Sequence, residues 1–112
     1  MSYSPREDAE LVRLWLGAKL AAHVAGIYWT SELGQWIEEE VPIPEFAATR
    51  LRLAVEVIEM LARHIKKEEI ASWFQGQSVG QESAAFVIRR GKPASIRPAV
   101  LRAAREFLAD IR

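Results

Sequence analysis

Between Pro44 and Lys67 the chain runs for more than twenty residues without a glycine or proline, and its side chains sort onto two faces. Glu45, Thr49, Arg52, Glu56, Glu59, Arg63 and Lys66 recur in alternating steps of four and three. Ala47, Leu51, Ala54, Ile58, Leu61 and Ile65 form a second, apolar stripe. That spacing is the signature of an amphipathic helix, predicted here from Glu45 to about Ile65, and Glu59 and Arg63 are spaced to pair across one turn. A helix of this length needs neighbours to cover its apolar side. Carrying the stripe further would require apolar residues near Glu68, Glu69 and Ser72, yet Ile70, Trp73 and Phe74 supply them instead. This slip of phase predicts a bend or a new helix near Lys66 and Lys67.

The neighbours are legible on both sides. From Glu7 to Gly26, Leu11, Leu14, Trp15 and Ala18 make one apolar stripe and Val12, Leu16, Leu20 and Val24 a second beside it, so a buried helix is expected, divided at Gly17. Gly26 suits the end of that helix because glycine reaches left-handed backbone angles without steric cost. After a turn at Ile27 to Trp29, Thr30 or Ser31 should cap a short helix through Glu38, with Leu33, Trp36 and Ile37 buried. Val41-Pro42-Ile43-Pro44 reads as an extended connector.

Downstream, the Gln75 to Gly80 segment reads as a loop, Ser83 as the cap of a short helix over Ala84 to Arg90, and Gly91 as its end. The last helix is expected from near Ser95, with Pro98 in its first turn and Val100, Leu101, Ala104, Phe107, Leu108 and Ile111 on the buried face. Trp73 is expected to anchor the core beneath it. With no sustained two-residue alternation, the fold class is all-α. At this length folding buries roughly two-thirds of the unfolded surface, enough for one domain or two helical subdomains on a shared core.

The chain contains no Cys, which excludes disulfides, thiolate metal sites and cysteine nucleophiles. The residues from Met1 to Asp8 are polar and acidic where a signal peptide is basic and then apolar, and the apolar stretch from Leu14 to Ile27 is interrupted by Lys19 and His23. No membrane span and a cytoplasmic location are therefore expected. His23 and His64 lack partners at metal-ligand spacing, Glu38-Glu39-Glu40 diverge around a helix, and no phosphate loop or hydrolase motif occurs. Catalytic, cofactor and metal sites are expected to be none.

Charge is balanced in total but not in distribution. From Ala84 to Arg112 there are seven basic residues, Arg89, Arg90, Lys92, Arg97, Arg102, Arg105 and Arg112, opposed only by Glu106 and Asp110. Either a solvated helix face or a surface for an acidic partner produces such a bias. In the first half, Ala22, Gly26, Leu33 and Trp36 stand close to the positions that build a helix-turn-helix, one residue longer than the usual spacing. Its second helix would offer Thr30, Ser31 and Gln35 to DNA. Glu32 and Glu38 to Glu40 lie alongside and would repel phosphates, so the free chain is expected to bind DNA weakly.

With these elements placed, the run Leu16-Gly17-Ala18-Lys19-Leu20-Ala21-Ala22-His23-Val24-Ala25-Gly26-Ile27, Trp36, Pro44 and Arg50-Leu51-Arg52-Leu53-Ala54 resembles the Xre-like half of the Xre/MbcA/ParS-type antitoxins. Ala71-Ser72-Trp73-Phe74-Gln75-Gly76, Ser83, Arg89-Arg90-Gly91 and Ala103-Ala104-Arg105-Glu106-Phe107-Leu108 resemble the toxin-binding domain of that family. The resemblance implies an Xre-like helix-turn-helix region over 1–44, a central helix over 45–66 and a toxin-binding-domain-like region over 67–112. It implies a non-enzymatic homodimer that blocks a RES-domain, NAD-consuming toxin through the second half, with the seven basic residues as the candidate contact. A transcription regulator acting on DNA, alone or with the toxin, and a helical adaptor without either partner are the alternatives.

Overall fold

Seven helices follow one another in the computed structural model, which describes residues 3–111. The first, α1 (Pro5–Leu16), begins earlier than the apolar pattern alone predicts. Ser4 Oγ accepts from the Glu7 N–H at 3.2 Å while Glu7 Oε1 accepts from the Ser4 N–H at 2.9 Å, and Pro5 supplies a preset φ at the first helical position. Gly17, at φ 86° and ψ 161°, separates α1 from α2 (Ala18–Ala25). Leu14 departs from expectation: assigned to a buried stripe, it is 64% exposed.

Helix α3 (Thr30–Glu38) takes extended Trp29 as its cap, with no side-chain capping bond. Thr30 and Ser31 therefore lie inside the helix rather than before it. Its inward residues are Leu33, Trp36 and Ile37, as expected. The central helix α4 (Glu45–Ala62) buries Ala47, Leu51, Ala54, Ile58 and Leu61 and also Leu53, Val55 and Val57. Burial on so wide an arc follows from its position, since α1, α2, α5, α6 and α7 all pack against it. Glu59 faces α1 rather than Arg63: it accepts from the Tyr3 hydroxyl at 3.0 Å and pairs with Arg52 at 3.7 Å.

The phase slip is real. α5 (Lys67–Gln75) starts anew, its N-terminus closed by Glu69 Oε1 accepting from the Lys66 N–H at 3.0 Å. After a loop containing one isolated bridge, Val79 to Glu82, α6 (Ala84–Arg90) is capped by Ser83 Oγ, which accepts from the Phe86 N–H at 3.0 Å. α7 (Pro93–Asp110) begins two residues before the expected Ser95, so Pro98 sits in its second turn. The carbonyl that Pro98 leaves without a helical donor belongs to Ala94, an exposed residue. Along α7, Val100, Leu101, Ala104 and Leu108 are buried, Phe107 is half-buried, and Ile111 is 48% exposed because the helix ends at Asp110.

The described residues of the three stretches, 3–44, 45–66 and 67–111, share one core, to which all seven helices contribute. Phe74, Leu33, Leu51, Ile58, Ile70 and Ile88 are among its fully buried members. Among the described residues there is no β-strand, and no helix is long and apolar enough to cross a membrane.

Candidate protein-binding surface

Gly26 sets the geometry of the surface. Its φ of 89° and ψ of 20° are left-handed, its N–H donates to the His23 carbonyl at 3.1 Å, and the Ile27 N–H donates to the Ala22 carbonyl at 3.1 Å. This is a Schellman closure, which ends α2 and throws the next residues outward. Tyr28 and Trp29 follow, 84% and 68% exposed. The Phe46 ring, 47% exposed, lies against Gly26, 3.6 Å from where a Cβ would stand.

Two arginines fix this corner from within. Arg89 Nη1, from the end of α6, donates to the His23 carbonyl at 2.9 Å and the Ile27 carbonyl at 3.0 Å. A guanidinium at the C-terminal end of α2 also opposes the negative end of the helix dipole. Arg50, from α4, does the same for α6: Nε donates to the Arg89 carbonyl at 3.1 Å, Nη2 to the Gly91 carbonyl at 2.8 Å, and Nη1 to the Phe46 carbonyl at 2.6 Å. The chain of contacts therefore runs from α4 to α6 to α2. Above it the Arg89 guanidinium lies 5.0 Å from the Tyr28 ring centroid. Burial, and then the Arg89 charge, pushes the His23 imidazole below the ordinary histidine range, which favours its neutral form.

On the outer side of α6, Phe86 is 39% exposed, and Arg90 lies over its ring at 4.9 Å while reaching Glu82 at 3.3 Å. Lys19, His23, Tyr28, Trp29, Thr30 and Arg89 line a shallow depression of about 570 Å³ where α2 meets the turn. Exposed aromatic rings stacked with arginines, on a backbone locked by internal hydrogen bonds, have the composition of the centre of a protein interface. Preorganisation lowers the ordering cost of binding.

The structure describes six of the seven basic residues singled out in the sequence, and it gives them different neighbours. Arg89 is turned inward onto α2, and Arg97 reaches back to α4, its Nε 3.1 Å from Glu56 Oε2. Arg90 is occupied by Glu82 and Phe86, Lys92 is the exposed residue before α7, and Arg102 and Arg105 are exposed on α7. Arg112 lies outside the described residues. Thr30, Ser31 and Gln35 are exposed on α3, beside exposed Glu38, Glu39 and Glu40. What sequence reasoning missed are Tyr28, Phe46, Phe86 and Arg50. One signal was available for Phe46, which falls outside the apolar stripe of its own helix. Comparison of the chain with family models, curated proteins and solved structures finds no match.

Proposed function

We propose that this chain works by binding another protein, and that the partner is a RES-domain toxin whose NAD-consuming activity it blocks. The carrying observation is the Tyr28–Trp29–Phe46 corner, with large aromatic side chains exposed yet held by Arg50 and Arg89. Apolar area of this kind is left on a surface at a cost in solubility, and a partner that covers it removes the cost. The toxin as partner, and a homodimeric state, rest on the resemblance to Xre/MbcA/ParS-type antitoxins. Co-expression with a RES-domain toxin from the same genome tests the reading. The toxin should co-purify with the parent chain and lose the chain when Tyr28 and Trp29 are both replaced by Ser, while far-ultraviolet circular dichroism of the variant stays unchanged. A parent chain that neither co-purifies nor restores growth contradicts it.

A second reading, DNA binding through α3, has one observation in its favour: Ala22, Leu33 and Trp36 are buried and Gly26 is left-handed, as the miniature core of a helix-turn-helix requires. Its outer face offers Thr30, Ser31 and Gln35 but carries three consecutive exposed glutamates at its end. Phosphate neutralisation is unfavourable there, so protein binding is the reading preferred.

A further inference from the structure

Between α5 and α7 the surface folds into a groove of about 650 Å³ whose chemistry is opposite to that of the basic residues around it. Trp73 and Phe107 form its floor, their ring centroids 6.4 Å apart and tilted by 51°. Glu68 and Glu69 stand on the α5 side, and Glu106 and Asp110 on the α7 side; among the described residues no Lys or Arg lines it.

The stability of the fold accounts for only part of this arrangement. Glu69 closes the N-terminus of α5, and Glu68 sits in the same first turn, where the helix dipole favours a negative charge. Glu106 and Asp110 lie toward the C-terminal end of α7, where the dipole disfavours them, and no basic residue occupies the last turn of that helix. Among the described residues none of Glu68, Glu106 and Asp110 is held in an ion pair, whereas Glu38, Glu56, Glu59 and Glu82 are. Four carboxylates thus line, with an aromatic pair, a groove that no Lys or Arg lines among the described residues.

We infer that this groove receives an arginine-bearing segment of a partner protein, its aliphatic stem on Phe107 and Trp73 and its guanidinium between the α5 and α7 carboxylates. The planar guanidinium fits carboxylates on either side through paired hydrogen bonds and stacks on aromatic faces, which an ammonium group does less well. A second copy of this chain is a poorer occupant. Seating a basic patch of one copy in the groove of another is a head-to-tail contact, which leaves an unsatisfied groove at one end unless a ring closes. A short arginine-bearing peptide is enough to occupy the groove, whatever the partner of the aromatic corner.

The experiment uses the ¹⁵N-labelled full chain and a blocked Gly-Arg-Gly-Arg-Gly peptide, with Gly-Glu-Gly-Glu-Gly as the control. Amide shifts should concentrate at Ser72, Trp73, Ala103 and Phe107, the acidic peptide should give none there, and E106K with D110K should weaken binding at least tenfold. Both positions are exposed, so an unchanged circular dichroism spectrum verifies that the double variant is folded. Glu38 to Glu40, an acidic cluster on another helix end, provides the internal comparison. Equal shifts there, or undiminished binding by the double variant, would reduce the effect to diffuse charge attraction and overturn the inference. Self-association of the free chain that disappears in the double variant would also overturn it, in favour of a second copy as occupant.

Discussion

Replacing Asp8 with Asn changes almost nothing in shape but removes a charge from the inner side of α1. Asp8 is 2% exposed, and its Oδ1 has no hydrogen-bond donor. Arg52 Nη1 stands 3.4 Å away, while Glu59 on α4 and Glu7 on α1 repel the carboxylate. Burial dominates this balance, and the Asp8 carboxyl is pushed up from 3.8 to about 6. In the folded chain the carboxyl therefore holds its proton at pH values where the unfolded chain has already released it. Between about pH 4 and 6 the native state binds more protons, so the contribution of Asp8 to stability falls as pH rises through that window. The rise from 3.8 to about 6 corresponds to roughly 3 kcal/mol of native-state cost, fully developed above pH 7 and vanishing well below pH 3.8. Asn carries no such cost at any pH. Urea unfolding followed by circular dichroism at unit steps from pH 4 to 8 should therefore show the stability of Asp8→Asn relative to the parent improving by roughly 2–3 kcal/mol, most of it between pH 4 and 6. Any constant offset reports the unpaired amide and the lost contact with Arg52. A difference that does not vary with pH, or that moves against the variant as pH rises, would refute the reasoning by showing that the attraction of Arg52 outweighs burial.

Arg89→Met should destabilise the fold by roughly 2–3 kcal/mol in the same assay, because two carbonyls at the end of α2 lose a charged donor. For that reason a charge reversal at Arg89 perturbs folding before it reports on any partner. Gly91→Ala should cost about 1–3 kcal/mol, since the new Cβ would stand 2.6 Å from Ile96 Cγ2 and 2.9 Å from the Val87 carbonyl oxygen; a neutral result in thermal unfolding would contradict that close contact. Arg102→Ala and Arg105→Ala, both exposed on α7, should stay within about 0.5 kcal/mol of the parent.

The helices were legible where local backbone chemistry decides them. Gly17, Gly26, the Pro42 and Pro44 connector, Ser83 and the phase slip at Lys66 mark boundaries through properties of the residues themselves. Legibility failed where a partner distant in sequence decides. Arg89 reads as a surface cation in a basic run, yet the carbonyls it binds lie 66 and 62 positions away. Glu59 is four residues from Arg63 and meets Tyr3 instead, 56 positions away. Ordinary helix spacing equally concealed the acidic groove. Its two walls come from helices separated by the loop and α6, and the sequence bias in that half is basic. Leu14 and Phe46 show the same limit, because periodicity places a side chain on a face without saying whether another helix covers it.

A direct enzymatic titration gives the sharpest test of the protein-binding account. A purified RES-domain toxin from the same genome is assayed for NAD consumption against increasing amounts of this chain, in parallel with the variant carrying Tyr28→Ser and Trp29→Ser. The parent should reduce activity in proportion to the amount added until it is abolished, and the variant should need at least ten times more. Undiminished NAD consumption at a large excess of the folded parent chain, or equal inhibition by the variant, would contradict the claim that the exposed aromatic corner blocks the toxin.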